Sequence, residues 1–428
     1  MAEQTSDGAA APTEETRKPR RRDLPVEGQL LLLITLGLTA IGQVMVYSAS
    51  SPVAMTTARY GNDPLYFVKN GVVFTIGGVL LMLLVMRLPV ALFKALAPLA
   101  LVVSLVLLVA VMIPGVGATI NGARRWIAAG PITLQPSELA KFALLGTVAA
   151  LLAAKKTAPQ SFGELMKPIG LLTGLVCALV LAEPDLGSAI AIAIMVAAML
   201  IVVGVPGRLL GGIMGIGLAL GGIAIWLEPY RRERLFAFLD PEAHASGGSY
   251  QVLQGIIGFA SGGAGGVGLG ESIQKVYYVP EAHTDMIFAI IGEELGLAGA
   301  LVILAGFAAF AWAGFTIALR ARDRFAQLVA VGTTTLIAGQ AAINVGAVTG
   351  ILPLTGIPLP LVSYGSSSKL STLLMVGVVL AVCREGHTAE ELAASKAARR
   401  TARGDRRAEE TVTQAAEVPR RRRATARR

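Results

Sequence analysis

The chain has 428 residues, 54% of them hydrophobic and only 15% charged, where a soluble domain carries about 25% charged residues. Its apolar residues gather in runs of roughly 20, the length a helix needs to cross about 30 Å of hydrocarbon, so a soluble enzyme is excluded and a polytopic membrane protein expected. Two cysteines, Cys177 and Cys383, lie far apart in apolar runs, and three histidines form no H-x₃₋₅-H pair, which leaves no disulfide framework and little material for structural zinc.

In chain order, residues 1–27 are polar, contain "RKPRRRD", and read as a disordered basic tail. A first span is expected at roughly 28–49; "VYSASSPVA" after it loosely resembles a cleavage site, but the apolar run is too long for a signal-peptide core, so the span is expected to stay. Further helices are expected at roughly 66–87, 91–113, 137–154, 167–183, 186–204, 208–227, 285–317, 325–347 and 366–384. This is an all-α membrane domain over 28–384, with ten spans and a large outer loop between the seventh and eighth. The eighth run is long enough to include a re-entrant or tilted portion. Residues 385–428, ending "PRRRRATARR", read as a second disordered basic tail.

Arg17 to Arg22, Arg87 with Lys94, Lys155 with Lys156, Arg208, Arg320 to Arg324 and the C-terminal tail fall on one side, which the positive-inside rule makes the cytoplasm. An even number of spans then puts both termini there. Arg124, Arg125, Arg231, Arg232, Arg234 and Lys275 fall in outer loops, against the rule. Two accounts stand: an anionic ligand at the outer surface, or local pairing with acids and lipid headgroups.

The outer motifs carry what chemistry there is. In "NGARRWIAAGPITLQPSELAK", residues 121–141, Arg124, Arg125 and Trp126 combine cations with an interfacial aromatic, suited to a phosphate or pyrophosphate beside a lipid tail. Ser137 is the expected helix cap, and Glu138 with Lys141 at i, i+3 makes either a structural ion pair or part of a site. In "EPDLGSA", residues 183–189, Asp185 is expected to cap the next helix and Glu183 to face solvent. "PYRRERLFAFLDP", residues 229–241, reads as an amphipathic helix lying on the membrane. "SGGAGGVGLG", residues 261–270, matches G-x-G-x-x-G without strand-turn-helix context, so it reads as a flexible loop or tight helix packing, not a nucleotide site.

The stretch "VPEAHTDMIFAIIGEELG", residues 279–296, places His283, Thr284 and Asp285 at the mouth of a helix. Thr284 or Asp285 is either an N-cap, or Asp285 is a partly desolvated general base on which Glu281, His283 and Lys275 converge. Glu293 and Glu294 lie two to three turns deeper, so at least one must be buried, and Glu294 reads as structural. In "TGILPLTGIPLPLVSYGSSSKL", residues 349–370, three prolines force an irregular outer loop, and Ser366, Ser367 and Ser368 start the last helix as an anion site or as ordinary caps.

Taken in order, "GARRWI…QPSELAK", "EPDLGSA", "YRRERLFAFLDP", "SYQVLQ", "GVGLGESIQKVYYVPEAHTDMIFAIIGEELG" and "GIPLPLVSYG" resemble the SEDS family (shape, elongation, division and sporulation) over about residues 28–384. The fifth motif is more similar to the division branch than to the elongation branch. Two departures are Ser366, where the family has a second glycine, and Lys369, where an apolar residue is usual. The resemblance implies an inverting glycosyltransferase that polymerises lipid II, the undecaprenyl-pyrophosphate-linked disaccharide pentapeptide, outside the cytoplasmic membrane during septal wall synthesis, releasing undecaprenyl pyrophosphate. It maps the family's catalytic acid onto Asp285. The substrate-binding set on this reading is Arg124, Arg125, Trp126, Glu138, Lys141, Arg231, Lys275, His283, Ser367 and Ser368. No metal ligands are assigned, and a divalent cation, Mg²⁺ or Mn²⁺, is the one cofactor left open. The implied partners are a class B penicillin-binding protein transpeptidase and other division proteins, with no nucleic acid.

Three alternatives remain: a lipid II flippase, an elongation or sporulation paralogue, and a non-catalytic division scaffold. Transporters place substrate near the midplane on broken helices within repeats. Here no internal repeat is visible and the polar motifs cluster outside.

Overall fold

The computed structural model describes residues 24–387, apart from 121–122, 130–131, 242 and 245–248. Nearly all of both expected tails lies outside the described residues. Among these residues ten helices are long and apolar enough to cross a membrane. They are α1 (Val26–Thr56), α2 (Tyr66–Val85), α3 (Val90–Met112), α4 (Pro136–Ala154), a fifth made of α5 (Phe162–Leu165) and α6 (Leu171–Ala182) joined by a π turn, then α7 (Leu186–Val203) and α8 (Gly207–Leu227). Two short helices, α9 (Pro229–Leu239) and α10 (Tyr250–Gly262), follow in the outer loop, and α11 (Ile287–Leu319), α12 (Arg324–Val348) and α13 (Ser366–His387) complete the bundle. Every expected span is present. The largest boundary difference is α1, which continues to Thr56 because Ser48, Ser50 and Ala54 pack inside the protein instead of forming a loop.

The buried core is carried by α4, α7, α12 and α13, with the first turns of α11. On the periphery, α2 and α3 turn Leu80, Leu84, Val102 and Val106 outward, and α8 buries no residue at all. In a bilayer such side chains face lipid tails, which are as apolar as they are.

Two backbone features position the outer face. The first is a break in α11 at Gly296, whose φ of 65° and ψ of −164° end one helix and start another. A side chain there would collide with the backbone of Ala264 and Gly266. The freed groups pair with the glycine-rich loop: Leu297 N donates to Gly263 O (2.9 Å), and Glu293 O and Glu294 O accept from Val267 N (3.0 Å) and Gly268 N (3.1 Å). Of the two readings of "SGGAGGVGLG", tight packing is therefore the one observed. The long eighth run is a short outer helix set on a membrane span, which is how non-helical backbone is tolerated at depth.

The second feature is a three-stranded antiparallel sheet between α3 and α4: β1 (Gly117–Ile120), β2 (Ala123–Ala129) and β3 (Ile132–Leu134), in the order β1-β2-β3. No strands were expected in this loop. The short alternating stretch was obscured by its charges, and only pairing with its neighbours makes it a strand.

Candidate functional site

Asp285 stands at the outer mouth of α11, half-buried. It does not cap that helix, and neither does Thr284: the cap residue is Met286, and no side chain bonds there. What fixes Asp285 is its backbone. Three successive carbonyls are held, His283 O by Tyr364 N (2.9 Å), Thr284 O by the Ser363 hydroxyl, and Asp285 O by the Asn344 amide (2.7 Å). Asn344 also donates to Ile357 O at 2.8 Å, so α12 ties the mouth of α11 to the proline-rich loop. The carboxylate itself is lightly held, with Thr284 Oγ1 at 3.3 Å. Burial, and then the charge of Glu281, push its pKa up to about 6, while Arg234 pulls the other way. A carboxylate held near neutrality is suited to take a proton.

Arg234, on α9, is the cation at this carboxylate. A methyl group placed on Gly356 would lie 3.6 Å from Arg234 Nη1 and 3.8 Å from Asp285 Oδ2, so the two groups flank the same glycine. The guanidinium also donates to Leu354 O (3.1 Å) and lies 4.7 Å over the Tyr230 ring. Sequence reasoning placed Arg234 among the misplaced outer cations without assigning it to the site, and it missed Asn344 and Ser363. The i, i+3 spacing from Arg231 to Arg234 was the available signal.

His283 packs among aromatic rings, 4.4 Å from Phe67 and 5.6 Å from Tyr364 between centroids. Burial lowers its pKa below the usual imidazole value, against the pull of Glu281, so near neutral pH it is an uncharged ring. Lys275 does not join Asp285. Its ammonium is buried, 2.7 Å from Glu294 Oε1 and 3.0 Å from the Ser48 hydroxyl, which in turn donates to both oxygens of Glu294. Glu293 accepts from the Ser272 hydroxyl and from Ile273 N (3.0 Å). Both glutamates thus bind the loop before Asp285 to α11, Glu294 joins α1 to it through Ser48, and Glu294 is structural as expected.

Strand geometry separates the other cations. Successive side chains on a strand point to opposite faces, so β2 sends Arg124 to Met112 O at the end of α3 (3.2 Å) and Arg125 to Glu183 O (2.7 Å) and Pro184 O (2.5 Å) beyond the end of α6. Trp126 shares the Arg124 face, half-buried. Arg231 reaches Leu181 O of α6 (2.5 Å) and Ala224 O of α8 (3.1 Å). Three of the six exceptions to the charge rule, Arg124, Arg125 and Arg231, thus serve carbonyls at or just beyond the C-terminal ends of helices, where a cation is favoured by the helix dipole. Between them, Asp185 caps α7 as expected, through Ser188 N at 3.0 Å. Glu183 departs from expectation: it is 1% exposed, and neither carboxyl oxygen has a partner. Burial, then the nearby Asp185, raise its pKa to about 8.

Glu138 and Lys141 form a buried ion pair of 2.7 Å within α4. Ser137 is not the cap; Gln135 precedes the helix, Pro136 opens it, and the Ser137 hydroxyl is buried without a partner. Ser367 fastens the start of α13 to β3, donating to Thr133 O (2.6 Å) and accepting from Gln135 N (3.1 Å), and Ser366 adds a contact to Thr133 Oγ1 at 3.3 Å. Ser368 lies beside them, half-buried. Among the described residues no three His, Cys, Asp or Glu side chains are gathered to hold a metal ion.

A family model for cell cycle proteins of the FtsW/RodA/SpoVE type matches residues 29–388. The chain is 39% identical over 353 residues to the probable peptidoglycan glycosyltransferase FtsW of Geobacter metallireducens, covering 82% of this chain and 93% of that one. It is 38% identical over 358 residues to the stage V sporulation protein E of Bacillus subtilis, covering 83% and 96%. Among solved structures, a chain from a peptidoglycan synthase complex, studied for how polymerization and crosslinking are coordinated, superimposes with a TM-score of 0.69 at 33% identity, covering 83% of this chain and 97% of that one. The rod shape determining protein RodA of Thermus thermophilus gives 0.61 at 28% identity, covering 83% and 96%.

Proposed function

The chain belongs to the FtsW/RodA/SpoVE family of cell cycle proteins, and from that premise we propose that it is the peptidoglycan glycosyltransferase of septal wall synthesis, polymerising lipid II at the outer face of the cytoplasmic membrane. The observation that carries the chemistry is Asp285: a half-buried carboxylate with its pKa near 6, lightly bonded itself and set on a backbone pinned at three consecutive carbonyls.

In the reaction, Asp285 accepts the proton of one substrate's GlcNAc 4-hydroxyl as that oxygen attacks the anomeric carbon of the other's MurNAc. The new C–O bond forms on the face opposite the leaving group, and the bond to undecaprenyl pyrophosphate breaks with its electrons. A base helps here because the nucleophile is a neutral alcohol, whereas the pyrophosphate leaves as an anion without needing a proton. Arg124, on the Trp126 face of β2, is the pyrophosphate's partner, since a guanidinium has five N–H donors and it spends one on a carbonyl, whereas Arg125 on the opposite face holds the Glu183–Pro184 turn. Trp126 lies on the Arg124 face, beside the lipid tail. Among the described residues no three His, Cys, Asp or Glu side chains are gathered to hold a divalent cation, so Mg²⁺ or Mn²⁺, were one bound, would come with the pyrophosphate and would offset its charge. The partner is a transpeptidase of the class B penicillin-binding kind, a reading supported by the likeness to a synthase that couples polymerization to crosslinking. Both termini lie in the cytoplasm, on the side of Arg87, Lys155, Arg208 and Arg320.

The test is the purified full chain with its transpeptidase partner and lipid II in detergent, and in parallel in vesicles. Glycan strands are the expected product. Leaflet transfer of lipid II without polymer would make the protein a flippase, and neither result would make it a scaffold.

A further inference from the structure

Between α9 and α10, outside Asp285, lies a cavity of about 280 Å³ lined by Tyr230, Glu233, Arg234, Tyr250, Gln251, Pro280 and Leu354. Its inner wall is Arg234, the residue that shares Gly356 with Asp285, so the cavity opens one side chain away from the base. We propose that this cavity is a saccharide subsite, and that it holds the N-acetylhexosamine ring whose hydroxyl Asp285 deprotonates. The proposal rests on the glycosyltransferase reading and specifies where the acceptor sugar sits.

The lining chemistry selects a neutral polar ring. Tyr250, and the face of Tyr230 that Arg234 does not cover, offer flat apolar surfaces with a polar tip, which suit the axial C–H faces and equatorial hydroxyls of a sugar. The Gln251 amide is oriented, because its Nε2 donates to Pro280 O at 2.9 Å, which leaves the side-chain carbonyl to accept from a hydroxyl or an acetamido N–H. Arg234 and Glu233 bring opposite charges to the same wall, so the lining has no net cation to recruit pyrophosphate. Five of the seven lining residues present charged or amide groups or phenols, which does not suit a polyprenyl tail. At about 280 Å³ the cavity has room for one sugar ring. Arg234 thereby acquires two roles, a wall of the sugar subsite and a positioning cation for Asp285.

The test uses the full chain in detergent with a lipid-free GlcNAc–MurNAc disaccharide as the probe, followed by saturation-transfer NMR. Wild type and Asp285→Asn should both transfer saturation to the acetamido methyl of the GlcNAc. Gln251→Glu and Tyr250→Phe keep shape, and Gln251→Ala and Tyr230→Ala remove the contacts; the first pair guards against loss of folding. In lipid II coupling the Ala variants should raise the acceptor KM at least about tenfold with little change in kcat. No transfer to the disaccharide in wild type that polymerises lipid II overturns the subsite while leaving the glycosyltransferase reading intact. So does an unchanged KM, or a fall in kcat alone, in folded Ala variants. If wild type makes no polymer at all, the broader reading fails first.

Discussion

Two carboxylate sites stand on the short outer helix of α11, and they are built in opposite ways. At its inner end Glu294 has a lysine, a serine and a backbone amide around it, and Glu293 has a hydroxyl and backbone amides. At its mouth Asp285 has one weak side-chain contact and a pKa displaced toward neutrality. The first arrangement spends its acids on holding a loop. The second fixes the chain around an acid and leaves the acid available. Burial alone therefore does not single out Asp285, since Glu294 is the more buried of the two.

The largest effect expected from breaking this contrast is on rate. Asp285→Asn should lower lipid II polymerisation by about 10²–10⁴, the usual contribution of a general base. The same variant should fold at least as well as wild type. An acid whose folded pKa is raised from 3.8 to about 6 is most favourable below 3.8 and loses that stability as pH rises through 6, so removing the charge costs nothing at pH 7. Wild-type activity should rise as pH increases through about 6 and then level off. Polymerisation by Asp285→Asn at a near-normal rate would remove the residue from the chemistry.

Next comes stability at the other site. Lys275→Met leaves Glu294 buried without its cation, and breaking a buried pair from one side costs about 3–5 kcal/mol. The double variant Lys275→Met/Glu294→Gln should recover most of the loss, because it removes the stranded charge. Thermal unfolding in detergent reads both. Should Lys275→Met keep its stability and lose lipid II binding instead, the lysine belongs to the substrate site after all.

How far the sequence already carried this contrast depends on the kind of information involved. Span positions follow from runs of apolar residues, so all ten helices were legible, as was the structural reading of Glu294. The acid at the helix mouth was also legible, since Asp285 sits at an abrupt change from polar loop to apolar helix. Its neighbours were not. Adjacent Arg124 and Arg125 read as one cradle, yet a strand divides them between α3 and α6, and no alternation long enough to reveal that strand exists in residues 117–134. Lys275 lies ten residues before Asp285 and looked like its partner; the break at Gly296 and the glycine loop turn it toward Glu294 instead. Asn344 and Ser363 hold carbonyls, and backbone partners of that kind leave no trace in composition or spacing.

The smallest step per measurement, at most about 1.4 kcal/mol per pH unit, and the sharpest probe of the outer cations, concerns Glu183. It joins α6 to α7 at a turn where Pro184 has φ of 29° and Arg125 occupies the Glu183 and Pro184 carbonyls. The carboxyl feels the charge of Arg125 but is bonded to none of its donors, two of which go to the Glu183 and Pro184 carbonyls. Its pKa is raised from 4.5 to about 8, which favours the uncharged acid at pH 7. Between those values the folded protein holds a proton that the unfolded chain releases, so this contribution is complete below 4.5 and is lost as pH rises through 8. Thermal unfolding of wild type should therefore weaken from pH 6 to pH 9, by at most about 1.4 kcal/mol per pH unit. Glu183→Gln should show a flatter profile and match wild type most closely on the acidic side. Parallel profiles in the two proteins would mean that Glu183 is ionised throughout, paired with Arg125 or Arg231, and that the outer arginines serve a carboxylate as well as the helix ends.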